Sequence, residues 1–306
     1  MTKTLLKDQN YAKAIGNKLL IINGRAGTGK TFKLVHIAYD LAFQQNKRCL
    51  ILTYNKALVS DIKRLLRFKV VGDSSSSAQV EISTLHKYIY DLIIAFELAE
   101  KKKIEDDSLN SGKRDFKGEE KKDLDNFLKY YDDFLEDIFE HVNIGAITRD
   151  DVKDLVKSKE QSVLWDYLLI DECQDWQARE RDILYKLFDY KTIILADGID
   201  QMVRRTKRCD WKTNLLEIET TTERRCLRQK YNLANFLNAY AEEFSLDWSV
   251  EPINEYLGGS IYISEIENDF ELFKKQKEKG LSEGHANYDF MFLTPPSLVD
   301  KIGGFI

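Results

Sequence analysis

Leu19-Leu-Ile-Ile-Asn-Gly24-Arg-Ala-Gly-Thr-Gly-Lys30-Thr31 is the stretch that decides the fold. Its apolar start reads as a short buried strand, its glycines as a turn, and the amphipathic run over 31–45 as a helix. Strand, glycine-rich turn and helix in that order are the setting that GxxxxGK[ST] requires. Gly24, Gly27 and Gly29 permit positive φ, so backbone N–H groups can face inward as an anion nest at a helix N-terminus. Arg25, Ala26 and Thr28 complete the loop. Lys30 is expected to reach the β- and γ-phosphates of a nucleoside triphosphate, and the Thr31 hydroxyl to ligate Mg²⁺.

Outward from this loop the chain repeats an apolar run followed by an amphipathic stretch, the pattern of a mostly parallel sheet with crossover helices. Strands are expected at 18–23, 48–53, 79–83, 167–170 and 192–196, with helices over 31–45, 56–68, 85–98 and 178–187. Asn55 reads as a helix N-cap and residues 72–77 as a Ser/Gly turn. The segment 97–162 is densely charged, with Phe127, Tyr130, Tyr131, Phe134 and Phe139 at helical spacing, and reads as a helical insertion with a mobile tip near 110–120. A new αβ pattern begins after Glu223: helix 231–243, strand 260–266, helix 270–279 and strand 288–294.

The second chemical landmark is Leu168-Leu-Ile-Asp171-Glu172-Cys-Gln174-Asp175. Apolar residues lead into two adjacent carboxylates at a strand's C-terminal end, where α/β folds hold their chemistry. Asp171 is expected to hold Mg²⁺ through water, and Glu172 to polarise the attacking water.

Composition sets the frame around these motifs. A charged fraction of 32% beside 43% hydrophobic residues is globular, and 306 residues fit two ordinary domains. No apolar run approaches the roughly 18–20 residues that span a bilayer, and the N-terminus lacks a signal peptide's apolar core. Cys49, Cys173, Cys209 and Cys226 form no CxxC pair, which points to a reduced, cytoplasmic setting and no membrane. A net charge of −5 confines any nucleic-acid site to a local basic groove.

The pairing of GRAGTGKT with DECQD resembles superfamily 1 DNA helicases of the UvrD/Rep/PcrA type, whose second motif reads DExQD. Weaker landmarks keep that family's order. Gln9 lies 21 residues before Lys30, where the family carries an adenine-recognising glutamine. Thr53-Tyr-Asn55-Lys56-Ala57 resembles its TxxNKA segment and Ser83-Thr84-Leu-His86 its TxH segment, both on the single-strand path. Residues 195–201, ending in Gln201, resemble its GDxxQ segment, whose glutamine senses the γ-phosphate. Residues 227–232 resemble its LxxNYR segment, by which Tyr231 stacks on adenine.

The resemblance implies a RecA-like P-loop NTPase: a first ATP-binding domain over 1–223 with the insertion at 97–162, and an incomplete second RecA-like domain over 224–306. It implies MgATP hydrolysis coupled to movement on single-stranded DNA, with RNA as the alternative strand. Catalysis would fall to Glu172, Lys30 and Gln201, and strand contact to Asn55, Lys56, Thr84 and His86. Departures are specific. The arginine of LxxNYR is Asn232 here, with Arg224, Arg225 and Arg228 as candidate replacements. The aromatic after the sensor glutamine is missing, leaving Trp211 either as its replacement or as a packing residue. No stretch resembles the family's last two motifs, so a further segment or a partner protein is expected to complete the second domain. The rival expectation is a nucleotide-binding regulatory or interaction module without unwinding activity.

Overall fold

The computed structural model describes residues 9–54, 56–70, 79–107, 127, 130–157, 163–198, 207–253, 257 and 270–282. The chain divides into two compact units, 1–259 and 260–306. Of the second, the helix Phe270–Ser282 is described.

In the first unit six strands form one sheet in the order β3-β2-β4-β5-β1-β6. They are β1 (Leu19–Gly24), β2 (Cys49–Thr53), β3 (Val80–Thr84), β4 (Tyr167–Ile170), β5 (Ile193–Asp197) and β6 (Ile218–Glu223). Every pairing is parallel. Parallel strands need crossovers, and helices supply them on both faces. The helices are α1 (Gln9–Ala14), α2 (Lys30–Gln45), α3 (Lys56–Val70), α4 (Leu85–Asp107), α5 (Tyr131–Asn143), α6 (Arg149–Lys157), α7 (Ala178–Leu187) and α8 (Tyr231–Glu243).

Strand alternation sends successive side chains to opposite faces. Leu19, Ile21, Leu50, Leu52, Leu168, Ile170 and Leu195 pack with α4, α5, α6 and α7. Leu20, Ile22, Ile51, Leu169 and Ile194 pack with α1, α2 and α3. Burial on both faces explains why β1, β2, β4 and β5 read as unbroken apolar runs.

Part of the charged insertion becomes core. Tyr131, Leu135, Ile138 and Val142 recur every three or four residues along α5 and are its buried stripe. α4 runs to Asp107, nine residues past the expected end at 98, because the Lys/Glu-rich continuation consists of good helix formers. The tip at 110–120, the turn 72–77 and the strands at 260–266 and 288–294 lie outside the described residues. β6 was not anticipated. Its sequence, Ile-Glu-Thr-Thr-Thr-Glu, is too polar to register as an apolar run, and it lies at the sheet's edge beside β1. Its β-branched threonines were the available signal. No helix among the described residues is long and apolar enough to cross a membrane.

Candidate nucleotide site

Three interior strands bring their C-terminal ends together along one end of the sheet. β1 runs into the glycine-rich loop, β4 ends before Asp171, and β5, lying between them, ends at Asp197. The parallel register sets Asn23 beside Asp197 and Gly24 beside Glu223 at the end of β6.

The loop's turn is built from Gly27 at φ +79° and Gly29 at φ +85°, the second serving as N-cap of α2. Both values lie where an L side chain is strained. Thr28 closes the turn by donating its hydroxyl to the Arg25 carbonyl at 2.9 Å. Lys30 is buried, and its ammonium donates to the carbonyls of Gly24 at 2.9 Å and Arg25 at 3.1 Å. Its charge is therefore held at the mouth of the loop by dipoles.

Thr31 opens towards β4. Its hydroxyl donates to Asp171 Oδ2 at 2.8 Å. Asp171 is fully buried, and its Oδ1 has no hydrogen-bond partner. Burial, and next the neighbouring charge of Glu172, push its carboxyl up to about 7, against the opposing pull of Thr31 and Lys30. A buried carboxylate with one orphaned oxygen is costly unless a donor or cation completes it. Thr31 and Asp171 thus fit Mg²⁺, which takes one or two protein oxygens and fills its remaining positions with phosphate and water. Among the described residues there is no cluster of three acidic, His or Cys side chains that would form an all-protein metal cage.

Glu172 has left-handed backbone, φ 49° and ψ 48°, uncommon for a residue with a side chain. Its Oε2 accepts from Gln174 Nε2 at 2.9 Å, and Gln174 Oε1 accepts the Gly198 N–H at 2.8 Å. Gln174 has no exposed surface.

The loop is covered from outside by residues 226–228. Leu227 donates its N–H to the Gly27 carbonyl at 2.7 Å, and Cys226 donates its own to the Glu251 carbonyl at 2.9 Å. Arg25 donates to the Asp247 carbonyl and stands 3.8 Å from its carboxylate. On the far side of the loop, Tyr11 of α1 donates to Glu223 Oε1 at 3.1 Å, and Lys33 of α2 pairs with the same carboxylate.

The remaining expected residues fall as follows. Gln9 is the first residue of α1; its side chain, like Asn55 and Gln201, lies outside the described residues. Tyr231 is the first residue of α8, half-buried, three positions beyond Arg228. Lys56 begins α3 and is exposed. Thr84 accepts the Lys87 N–H at 3.3 Å and so caps α4. His86 is half-buried between Tyr54, 5.1 Å away by ring centroids, and Tyr131, 4.8 Å away. Trp211 is a packing residue: 3% exposed, against Trp176 and Tyr185, with Nε1 donating to the Cys173 carbonyl at 2.8 Å. Sequence reasoning missed the Gln174 bridge and the cover over the loop, both made across long chain separations.

An all-parallel sheet with a glycine-rich phosphate loop after β1 and an Asp-Glu pair after β4 defines a RecA-like P-loop NTPase. Residues 8–207 match the family described as "AAA domain", and the chain belongs to that family. The match is typical of UvrD/Rep-like superfamily 1 helicases, and this is a helicase-like ATP-binding region. No curated protein matches the chain. Among solved structures, that of Pif1 helicase from Candida albicans aligns with 100% of this chain and 61% of its own, at 13% identity and a TM-score of 0.35. The chain thus spans less than two thirds of that helicase's length.

Proposed function

We propose that the chain binds MgATP at the loop over 24–31 and hydrolyses it, and that hydrolysis is coupled to movement on single-stranded DNA. The observation that carries the reading is the 2.8 Å bond from Thr31 to Asp171, whose second carboxylate oxygen is buried and unpartnered. Loop amides and Lys30 bind the phosphates, the ammonium exchanging its two carbonyl partners for phosphate oxygens. Thr31 and Asp171 would hold the metal, which would offset negative charge on the phosphates. Glu172 orients the attacking water and accepts its proton. Gln9 and Tyr231 contact adenine, and Gln201 senses the γ-phosphate. Asn55, Lys56, Thr84 and His86 face the strand.

The same reading assigns 1–223 to a first RecA-like domain and 224–306 to the opening of a second. An arginine brought to the γ-phosphate by another segment or a partner would contribute about 10³–10⁵ in rate. The test is ATP turnover by residues 1–306 with and without single-stranded DNA, with Lys30→Ala as the blank. Turnover above the blank and raised by the strand is expected. Nucleotide binding without turnover would instead mean a nucleotide-gated module.

A further inference from the structure

Gln174 is fully buried and uses both ends of its amide. The assignment of those ends follows from the partners, since a carboxylate accepts and a backbone N–H donates. Nε2 must face Glu172 Oε2 and Oε1 must face the Gly198 N–H, at 2.9 and 2.8 Å. Gly198 follows Asp197, the last residue of β5. The backbone on either side is also held: the Gln174 carbonyl accepts the Cys209 N–H at 3.1 Å, and Trp211 holds the Cys173 carbonyl at 2.8 Å. The amide is therefore a fixed strut joining the turn after β4 to the end of β5.

Glu172 needs such a strut. Its side chain leaves a left-handed backbone position and is only partly buried, so packing alone does not select one rotamer. One bond to a buried amide fixes Oε2 and so restricts the directions open to Oε1.

We propose that Gln174 is a positioning residue for the reaction: it orients the Glu172 carboxylate and couples that orientation to the position of Gly198. The proposal rests on the ATP-hydrolase reading of this site. A movement at the end of β5 would then be felt at Glu172 through a single side chain.

The test combines kinetics with amide hydrogen exchange in the full chain. Gln174→Ala removes both bonds; Gln174→Glu keeps an acceptor for Gly198 and sets a carboxylate against Glu172. Both are expected to bind a fluorescent ATP analogue within about twofold of the parent and to turn over about 10- to 100-fold more slowly, the range seen for groups that orient a reacting partner. Because Gln174 acts through Glu172, the double variant Glu172→Gln/Gln174→Ala should be no slower than Glu172→Gln. Single losses that multiply, or parental turnover in Gln174→Ala, overturn the proposal. Exchange at Gly198 should quicken in Gln174→Ala and also in Glu172→Ala, where the amide loses its other anchor. Parental turnover no higher than that of Lys30→Ala sinks the hydrolase reading and the catalytic role together. In that case exchange still decides the strut: unchanged exchange at Gly198 in Glu172→Ala would refute it.

Discussion

Leu227 donates its backbone N–H to the carbonyl of Gly27 at 2.7 Å, so the segment that leaves β6 lies directly on the phosphate loop. Its side chain meets the next glycine, since a Cβ on Gly29 would fall 2.6 Å from Leu227 Cδ1. A Cβ on Gly27 would fall 2.8 Å from Arg228 Cβ. These contacts differ in kind, because a leucine methyl swings aside and a Cβ moves only with its backbone.

Gly29→Ala should therefore cost the left-handed penalty, about 1–2 kcal/mol, plus a clash that Leu227→Ala relieves. Gly27→Ala should cost more, and Arg228→Ala should not rescue it, since alanine retains the offending Cβ. Chemical denaturation of the four variants decides this. Equal losses for the two glycines, or rescue of Gly27→Ala by Arg228→Ala, would mean that residues 226–228 do not lie on the loop.

Asp171 carries a stability prediction opposed to its proposed role. It is a fully buried carboxylate with one unpartnered oxygen, and its acidity is weakened first by burial. Asp171→Asn removes the cost of a buried charge and keeps an acceptor for the Thr31 hydroxyl. The nucleotide-free protein should melt a few degrees higher, as roughly 1 kcal/mol would give in a domain of this size. The same variant should lose the gain in ATP affinity that Mg²⁺ brings to the parent. A lowered melting temperature together with undiminished Mg²⁺ dependence would remove Asp171 from the metal site.

Legibility in the sequence followed burial and chain distance. The bounds of β4, α7 and α8 were readable to the residue, because a run buried on both faces, or a clear helical stripe, ends where its surroundings change. β6 escaped because an edge strand need not be apolar, and Ile218–Glu223 carries a single strongly apolar side chain. Thr31 and Asp171 stood out as motif members, but their bond spans 140 positions and needed the β4-β5-β1 order to form. Gln174 was visible as a letter in DECQD; its partner at Gly198, 24 positions on, was not. The aromatic spacing of the insertion made its helix legible, but not that the buried face opens with a tyrosine hydroxyl on a buried carboxylate 49 positions away.

That hydroxyl belongs to Tyr131, which donates to Glu180 Oε1 at 2.6 Å while Glu180 Oε2 accepts the Gln177 N–H at 2.7 Å and caps α7. Glu180 has no exposed surface. Tyr131→Phe leaves a buried carboxylate short of a donor and should cost about 1–3 kcal/mol in thermal or chemical unfolding. The ring facing His86 is kept, so affinity for single-stranded DNA should stay within about twofold. His86→Ala should reverse the pattern, with little loss of stability and strand affinity weaker by about tenfold, the scale of one lost stacking partner. If both variants weaken strand binding equally, the insertion helix itself touches the strand.

Trp211 makes a contrasting case, because its indole is closed off between Trp176 and Tyr185 with its N–H on the Cys173 carbonyl. Trp211→Phe keeps an aromatic ring but takes from that carbonyl the nearer of its two donors, leaving the Trp176 N–H at 3.4 Å, at a cost of about 0.5–1.5 kcal/mol. Cys173 lies between Glu172 and Gln174, so a loosened carbonyl also frees the turn that carries the Glu172 carboxylate. Stability and turnover should fall together, while strand affinity, measured well below the melting temperature, should match the parent. A residue that stacked on nucleic acid would give the opposite result: an unchanged melting curve and strand affinity lowered about tenfold or more. Fluorescence anisotropy with a labelled single strand, run beside a melting curve, separates the two outcomes in one preparation.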